Sequence, residues 1–251
     1  YPMSVKIDRL LPIIFRPFIL RGYFLSNNFA LSDVPIAIAR FDAYPNIKEL
    51  YKSFVKYNNN VNNGDLHRLI SFILNIEQVL IVEGVAGDLA ELGVWKGNTA
   101  SILAFYSKKC NRTCYLFDTY EGFDPRDLDG KDAKFDFSDT SIDIVKDVIG
   151  SEYEKHCIYC KGYFPQSIPD ELNSKVFSVV SLDADLYAPM KAGLNWFFPR
   201  MSNGALFMLH DYSSRQWDEC RRAIDEFCIQ ENQNIVLMPD KYGSADRKSV
   251  V

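Results

Sequence analysis

The amino-acid sequence predicts an α/β fold with a doubly wound, mostly parallel sheet of seven strands. From residue 66 onward, short apolar runs alternate with segments that have the apolar spacing of helices. The first apolar run ends in a glycine-containing turn, and later runs end beside acidic residues. Since sheets of this kind bind ligands at the carboxyl ends of their strands, these turns also mark the candidate site.

The predicted strands are short and mostly apolar. The second, TCYLF, ends before Asp118, and the fourth, VFSVVSL, ends before Asp183. Five strands are predicted at 89–93, 113–117, 157–161, 176–182 and 205–209, with a terminal pair at 235–238 and 244–251. Helices are predicted at 66–80, 98–106, 141–149, 189–198 and 217–228.

Two regions are predicted: an accessory helical N-terminal region over 1–63 and the α/β domain over 64–251. The polar run YNNNVNNGD joins them and ends in Asp65, which can cap the next helix. Within the first region, LLPIIFRPFIL (10–20) is too short and too interrupted to span a bilayer. We expect this stretch to pack on a neighbour or a dimer partner, with attachment to a membrane surface as the alternative.

The composition is typical of a soluble globular protein, with 47% hydrophobic and 24% charged residues. The net charge of −5 argues against nucleic acid as the main partner. Six cysteines without a secretory signal predict reduced thiols and a cytoplasmic location. The C-x-x-C pair Cys157 and Cys160 could bind zinc together with Cys110 and Cys114, but placement within strands favours buried, inert thiols.

The segment ELGVWKGNT, Glu91 to Thr99, follows the first strand and opens a helix. Gly93 and Gly97 permit a tight turn and a close approach of the backbone to a ligand, and the helix start offers free N–H groups. Glu91 can hold an ammonium group such as that of an amino acid. The spacing E-x-G-x-x-x-G differs from the G-x-G-x-x-G of dinucleotide sites. A tight structural turn is the alternative interpretation.

Asp118 lies 21 residues after Gly97, at the end of the second strand. An acidic residue at this place can accept both ribose hydroxyls of a nucleoside. Its alternative role is that of a helix cap or turn residue. Together with the glycine turn, it favours a cofactor that carries a ribose.

Acidic residues and a histidine follow two further strands. Asp183 and Asp185 follow the fourth, and His210 and Asp211 follow the fifth. Asp183 and Asp211 can converge on one divalent cation, with His210 or water completing the shell. Such a cation would hold substrate oxygens and lower the pKa of a bound hydroxyl. As alternatives, Asp183 can orient a cofactor amine, and His210 can be a hydrogen-bonded core histidine.

Six segments in this order resemble the macrocin O-methyltransferase (TylF) family of class I methyltransferases. They are GDLAELGVWKGNTA, FDTYEGF, KGYFPQSIPD, LDADLYAP, FFPRMSNGALFMLHDYSS and MPDKYGSA. The resemblance covers about residues 64 to 251. It implies a Rossmann-like methyltransferase sheet and transfer of a methyl group from S-adenosylmethionine to a hydroxyl, often on a sugar of an antibiotic or surface glycan. It also implies a divalent cation, usually magnesium.

The resemblance assigns roles to residues of this chain. The cofactor-binding positions that it implies are Glu91, Gly93, Gly97, Thr99, Asp118 and Gly162. Asp183 and Asp211 would be metal ligands, and Asp185 would be the general base. The loop 121–140 would cover the substrate.

The sequence departs from the family pattern at His210, where similar proteins have the first of two adjacent acids. An imidazole can still ligate a cation, but suits manganese, iron or zinc better than magnesium. It can also act as the base. His210 is therefore predicted both as a ligand beside Asp183 and Asp211 and as a catalytic residue beside Asp185. Magnesium is the first cation expected, with manganese as the alternative.

The sequence thus predicts a metal-assisted O-methyltransferase that acts on a sugar or a glycosylated small molecule. The alternatives are a methyltransferase for a phenolic or other small-molecule acceptor and a non-catalytic nucleotide-binding scaffold. The expected partners are a sugar-like small molecule and further copies of the chain in a homo-oligomer, with no nucleic acid and no membrane span.

Overall fold

The computed structural model describes residues 45–62, 65–128, 137–214, 218–238, 240–241 and 243–248. These residues belong to one compact unit, Tyr44–Val251. Residues 45–62, assigned above to the accessory region, are thus part of the same unit as the sheet. The predicted packing segment 10–20 lies outside the described residues.

Seven strands of the described chain form one sheet in the order β3-β2-β1-β4-β5-β7-β6. The strands are β1 (Asp88–Leu92), β2 (Cys114–Asp118), β3 (Cys157–Lys161), β4 (Phe177–Leu182), β5 (Met201–Leu209), β6 (Val236–Leu237) and β7 (Ala245–Lys248). The first five are parallel, whereas β7 is antiparallel to both β5 and β6. The predicted mostly parallel, seven-stranded sheet is confirmed, and its strand order reverses between β1 and β4.

Helices connect the strands. Those of the described residues are α1 (Pro45–Val55), α2 (Asn59–Asn62), α3 (Leu66–Glu77), α4 (Ala100–Cys110), α5 (Ile142–Ile149), α6 (Ser151–Glu154), α7 (Tyr187–Phe197) and α8 (Asp218–Gln230). Helix α4 ends at Asn111, whose φ of 53° is the left-handed conformation that stops helices. Within the described residues, no helix is both long and apolar enough to cross a membrane.

Asp65, the residue just before α3, connects two distant parts of the chain. Its Oδ1 atom accepts hydrogen bonds from the backbone N–H of Arg68, which caps α3, and from that of Lys241, at 3.3 and 3.1 Å. The predicted cap is therefore present. The α-helix was predicted to reach residue 80, but after Glu77 the chain widens into a π-helical turn, Gln78–Val82.

Aromatic packing fixes α7 on the sheet. The Phe197 ring lies 5.8 Å from Phe117 of β2 and 5.3 Å from Phe177 of β4, both edge to face. Each such pair contributes about 0.5–1.5 kcal/mol beyond the apolar area it buries. Strand β4 is buried along its whole length, as expected for a central strand covered on both faces. The turn between β4 and α7, which carries Asp183 and Asp185, is thus held at both ends.

Candidate functional site

A cavity of about 380 Å³ opens at the carboxyl ends of β1, β2, β4 and β5, where the strand order reverses. This is the place at which parallel α/β sheets bind ligands, and the size suits a small molecule. All the predicted site residues except Gly97 line this cavity.

Gly97 packs against a helix. A β-carbon at this position would lie 2.8 Å from Cγ1 of Val145 in α5. The glycine, whose φ is 82°, therefore permits close helix packing behind the loop. Gly97 was predicted to contact the cofactor, but it is not among the residues that line the cavity.

Gly93 closes the switch point between β1 and β4. Its N–H donates to the Phe117 carbonyl at 2.9 Å, and a β-carbon would lie 2.6 Å from the carbonyl carbon of Asp183. Its φ of 86° ends the strand one residue earlier than predicted. Only glycine lets the Asp183 backbone come this close to the turn.

Asp118 holds the glycine loop. Its Oδ2 atom accepts from the N–H groups of Val94 and Trp95 at 2.7 and 3.0 Å, and Oδ1 accepts from that of Tyr120 at 2.6 Å. These contacts are those of a turn residue, the alternative role predicted for Asp118. The carboxylate also lines the cavity beside Gly162, whose N–H donates to the Asp118 carbonyl at 3.0 Å. Both predicted cofactor positions are therefore adjacent.

Glu91 offers an acceptor inside the cavity. The residue is 1% exposed, and its Oε1 atom accepts from the Ser181 hydroxyl at 3.3 Å. Its Oε2 atom is buried without a hydrogen-bond partner among the described residues. Burial, together with the negative charge of Asp183, raises the pKa of Glu91 well above its usual range. A buried acceptor without a partner costs about 1–3 kcal/mol, so a ligand that donates here fits the site.

Three predicted ligands converge. One ligand atom from each of Asp183, His210 and Asp211 lies within 4.8 Å of the others. The His210 Nδ1 atom is 2.5 Å from Asp183 Oδ1 and 2.9 Å from Asp211 Oδ2. The parallel pairing of β4 with β5 brings these residues together, and the main-chain N–H of His210 donates to the Leu182 carbonyl. Two carboxylates and an imidazole form a donor set that divalent cations accept, and the six free cysteines do not belong to it.

The charges of this cluster shift its pKa values. Burial raises the pKa of Asp183, but His210 and Arg68 outweigh it and hold that pKa well below its usual range. Burial and Arg68 lower the pKa of His210, but the carboxylates of Asp183 and Asp211 outweigh them and raise it. Burial, then the charges of Asp211 and Asp183, raises the pKa of Asp185. Positive groups thus surround Asp183, whereas carboxylates surround His210 and Asp185.

Asp185 lies beside the three ligands. It lines the same cavity, and its φ of 58° turns the chain sharply before α7. Its main-chain oxygen is 3.0 Å from the Cys220 thiol of α8. Among the described residues it is outside the group of ligand atoms formed by Asp183, His210 and Asp211. The position is thus next to the candidate cation site and open to the cavity.

Arg68 is a site residue that the sequence analysis missed. Its Nη2 atom lies 2.6 Å from Asp183 Oδ2 and 3.1 Å from Thr99 Oγ1. The available signal was its spacing, since Arg68 precedes buried Phe72 by four residues and so lies on the buried side of α3. A charged side chain on such a face needs a partner inside the protein.

Aromatic and acidic side chains form the outer wall of the cavity. The Phe137 ring is 5.2 Å from Trp95 and 5.1 Å from Phe123. The Tyr163 hydroxyl donates to Asp127 Oδ1 at 2.7 Å. Parts of the predicted covering loop 121–140 therefore line the cavity, while 129–136 lie outside the described residues.

The reversed parallel sheet, the glycine turn and the carboxylates at its strand ends are the features of a Rossmann-like methyltransferase. The model of the macrocin O-methyltransferase (TylF) family matches residues 65–242, and the chain belongs to this family. The resemblance stated from the sequence is thereby confirmed.

Two relatives are identical to this chain at about a quarter of the aligned positions. A tetracenomycin-C rhamnosyl 4'-O-methyltransferase from Streptomyces olivaceus is 24% identical over 176 residues, covering 64% of this chain and 65% of the relative. Mycinamicin III 3''-O-methyltransferase from Micromonospora griseorubida is 24% identical over 162 residues, covering 58% and 61%. The chain therefore spans less than two thirds of the length of the relatives that it matches.

Solved structures show the same fold. The O-methyltransferase NovP superposes with a TM-score of 0.60 at 21% identity, covering 72% of this chain and 80% of its own. The calicheamicin methyltransferase CalS11 gives a TM-score of 0.56 at 16% identity, covering 98% and 90%. At these identities the likeness extends to the fold.

Proposed function

We propose that this protein is a metal-assisted O-methyltransferase that moves the methyl group of S-adenosylmethionine to a hydroxyl of a sugar or glycosylated small molecule. The observation that carries the proposal is the convergence of Asp183, His210 and Asp211 in the cavity that also contains the glycine turn. Family membership and the names of the relatives support the same reaction.

The cofactor would bind on the side of β1 and β2. The unpartnered Oε2 atom of Glu91 suits the ammonium group of the methionine end. Asp118, beside Gly162, suits the ribose hydroxyls. Its Oδ2 atom already accepts from two backbone N–H groups, but on Oδ1 a ribose hydroxyl can replace the long 3.4 Å contact from Thr119. Gly93 keeps the backbone close to the ligand between them.

Asp183, His210 and Asp211 would hold the divalent cation. Their two carboxylates and imidazole fit such an ion, and the imidazole favours manganese more than a purely acidic set does. When bound, the cation supplies a positive charge that orients the acceptor hydroxyl and lowers its pKa. His210 Nδ1 lies between the two carboxylates, where a bound cation would take the place of its proton.

Asp185 would take the proton of the acceptor hydroxyl. It lines the cavity next to the three ligands without belonging to their group, which supports a base role for Asp185 over His210. The fixed turn between β4 and α7 holds this carboxylate, and the aromatic outer wall positions the acceptor. Direct transfer needs the acceptor oxygen, the methyl carbon and the sulfur in line, so positioning is the main task of the protein.

A methyl-transfer assay tests the proposal. The chain is incubated with S-adenosylmethionine and neutral glycosides, nucleotide sugars or phenols, with and without chelator, and S-adenosylhomocysteine is measured. We expect sugar-dependent turnover that chelator abolishes and Mg²⁺ or Mn²⁺ restores. Asp183→Asn should remove it. Asp88→Asn is the control and should leave turnover unchanged. Asp88 pairs with Lys175 at the opposite end of the strands from the cavity.

Other outcomes would contradict parts of the proposal. Turnover with phenols alone would contradict the sugar acceptor, and turnover unchanged by chelator would contradict the cation. Cofactor binding without turnover on any acceptor would favour the scaffold alternative. The homo-oligomer, the cytoplasmic location, the lack of a nucleic-acid partner and the boundary after residue 63 stay predictions.

A further inference from the structure

Arg68 touches both halves of the cavity. On the side of the glycine turn, its Nη2 atom donates to Thr99 Oγ1 at 3.1 Å, and on the side of the carboxylates to Asp183 Oδ2 at 2.6 Å. The Arg68 side chain is only 13% exposed. Among the described residues that line the cavity, no other lysine or arginine is present. Arg68 is therefore the permanent positive charge between the cofactor side and the carboxylate cluster.

Asp183 is already paired on both oxygens. Its Oδ2 atom binds Arg68, and its Oδ1 atom lies 2.5 Å from His210 Nδ1. A divalent cation that takes Asp183 as a ligand therefore competes with a partner that is in place. The stronger competitor is Arg68, because a guanidinium keeps its charge at all relevant pH values.

Separating Arg68 from Asp183 breaks an ion pair between two largely buried charges, which is costly unless each gains a new partner. A cation that binds by itself compensates Asp183 but leaves Arg68 unpaired. A ligand carboxylate that binds by itself compensates Arg68 but leaves the Oδ2 atom of Asp183 without its ion-pair partner. When both are present, each residue exchanges one partner for another, and neither charge is left alone.

Resting on the proposed function, we propose that Arg68 couples cofactor binding to cation binding. In the cofactor-free chain Arg68 pairs with Asp183, and on binding it turns to the carboxylate of the methionine group and leaves Asp183 to the cation. Coupling between two sites is reciprocal, so each ligand raises the affinity for the other by the same factor. Arg68 is then a cofactor-binding residue that also controls access to a metal ligand.

Calorimetric titration of the full chain tests the coupling without turnover. S-adenosylhomocysteine carries the same carboxylate and is titrated with and without saturating Mn²⁺. We expect Mn²⁺ to tighten its binding by about 5- to 150-fold, the usual range of coupled sites. In Arg68→Gln, S-adenosylhomocysteine should bind more weakly, and the effect of Mn²⁺ should fall to near onefold.

The same variant has a second, opposite effect. Without S-adenosylhomocysteine, Mn²⁺ should bind Arg68→Gln more tightly than the wild type, because the guanidinium no longer competes for Asp183. General damage to the fold would weaken both ligands. Arg68→Lys keeps the charge but loses the planar fork, and should keep part of the coupling.

Arg112→Gln is the matched control. Arg112 donates to the Gly87 carbonyl and the Ser178 hydroxyl at the amino ends of β1 and β4. Its loss should lower the Tm and leave the coupling as in the wild type. Equal affinity for S-adenosylhomocysteine with and without Mn²⁺ in the wild type, or full coupling in Arg68→Gln, would overturn the inference. A wild type that fails to bind S-adenosylhomocysteine, or that binds it but no Mn²⁺, would contradict the proposed function itself.

Discussion

Gly93 and the main-chain carbonyl of Asp183 are so close that a β-carbon on the glycine would overlap it. Gly93→Ala should therefore push the Asp183 turn away from β1. We expect binding of S-adenosylhomocysteine to weaken at least about tenfold, which corresponds to about 1.4 kcal/mol. Calorimetry of the purified variant measures this loss.

Gly150→Ala controls for backbone strain. Gly150 has the same φ of 86°, but nothing lies within 4 Å of an added β-carbon. Both variants should lose stability because alanine is strained at a positive φ, but only Gly93→Ala should lose affinity for S-adenosylhomocysteine. Equal affinities in the two variants would show that the contact with Asp183 has no role in binding.

Glu91→Gln should separate stability from cofactor binding. Burial raises the pKa of Glu91 well above its usual range, so the folded chain holds a proton that the unfolded chain releases above about pH 4.3. The unfolding free energy of the cofactor-free wild type therefore falls as the pH rises from about 4.3 to the raised pKa of the folded chain. The loss is about 1.36 kcal/mol for each unit by which the pKa is raised. In urea unfolding at pH 4.5 and 7, the unfolding free energy of Glu91→Gln relative to that of the wild type should be higher at pH 7.

The same substitution removes a carboxyl group that, in the proposed function, gives up its proton and pairs with the methionine ammonium when the cofactor binds. S-adenosylhomocysteine should therefore bind Glu91→Gln more weakly even where this variant is the more stable protein. A stability difference that is the same at both pH values, or unchanged affinity for S-adenosylhomocysteine, would contradict these expectations.

His210→Asp should change the preferred cation. The substitution replaces the imidazole between Asp183 and Asp211 with an oxygen ligand, which suits magnesium. We expect the concentration of Mg²⁺ for half-maximal activity to fall relative to that of Mn²⁺. His156→Asp, just before β3, is the control and should leave the ratio unchanged. An unaltered ratio in His210→Asp would argue that the imidazole is not a ligand.

Asp127→Asn should affect the acceptor more than the cofactor. Asp127 lines the outer part of the cavity, where it accepts from the Tyr163 hydroxyl. Losing one charged hydrogen-bonding group there should raise the KM for the sugar acceptor about tenfold, equivalent to about 1.4 kcal/mol. Steady-state kinetics with varied acceptor measure the change. An increase in the KM for S-adenosylmethionine instead would place Asp127 on the cofactor side.

The sheet could be predicted because its signals are local. Apolar runs end at Gly93, Asp118 and Asp183, and these residues stop the strands through their own backbone preferences or polarity. The convergence of Asp183 with His210 followed from strand order, since parallel neighbours end at the same edge.

The contacts of Arg68 and Gly97 could not be predicted in the same way. Arg68 binds Thr99 and Asp183, which are 31 and 115 positions away in the chain. Helical periodicity shows which face is buried but not which partner it meets. For Gly97, spacing indicated a required glycine, while the neighbour that requires it, Val145, depends on how α5 packs.

The hydrogen bond between Asp65 and Lys241 joins the two ends of the family segment, which runs from 65 to 242. Chain ends that meet in space can be linked and reopened elsewhere without altering the fold between them. Strand β7 and helices α1 and α2 lie outside 65–242 but belong to the same unit. A circular permutant that keeps them, joins Pro45 to Lys248 through a flexible linker and opens in the exposed turn near Asn232 should therefore fold.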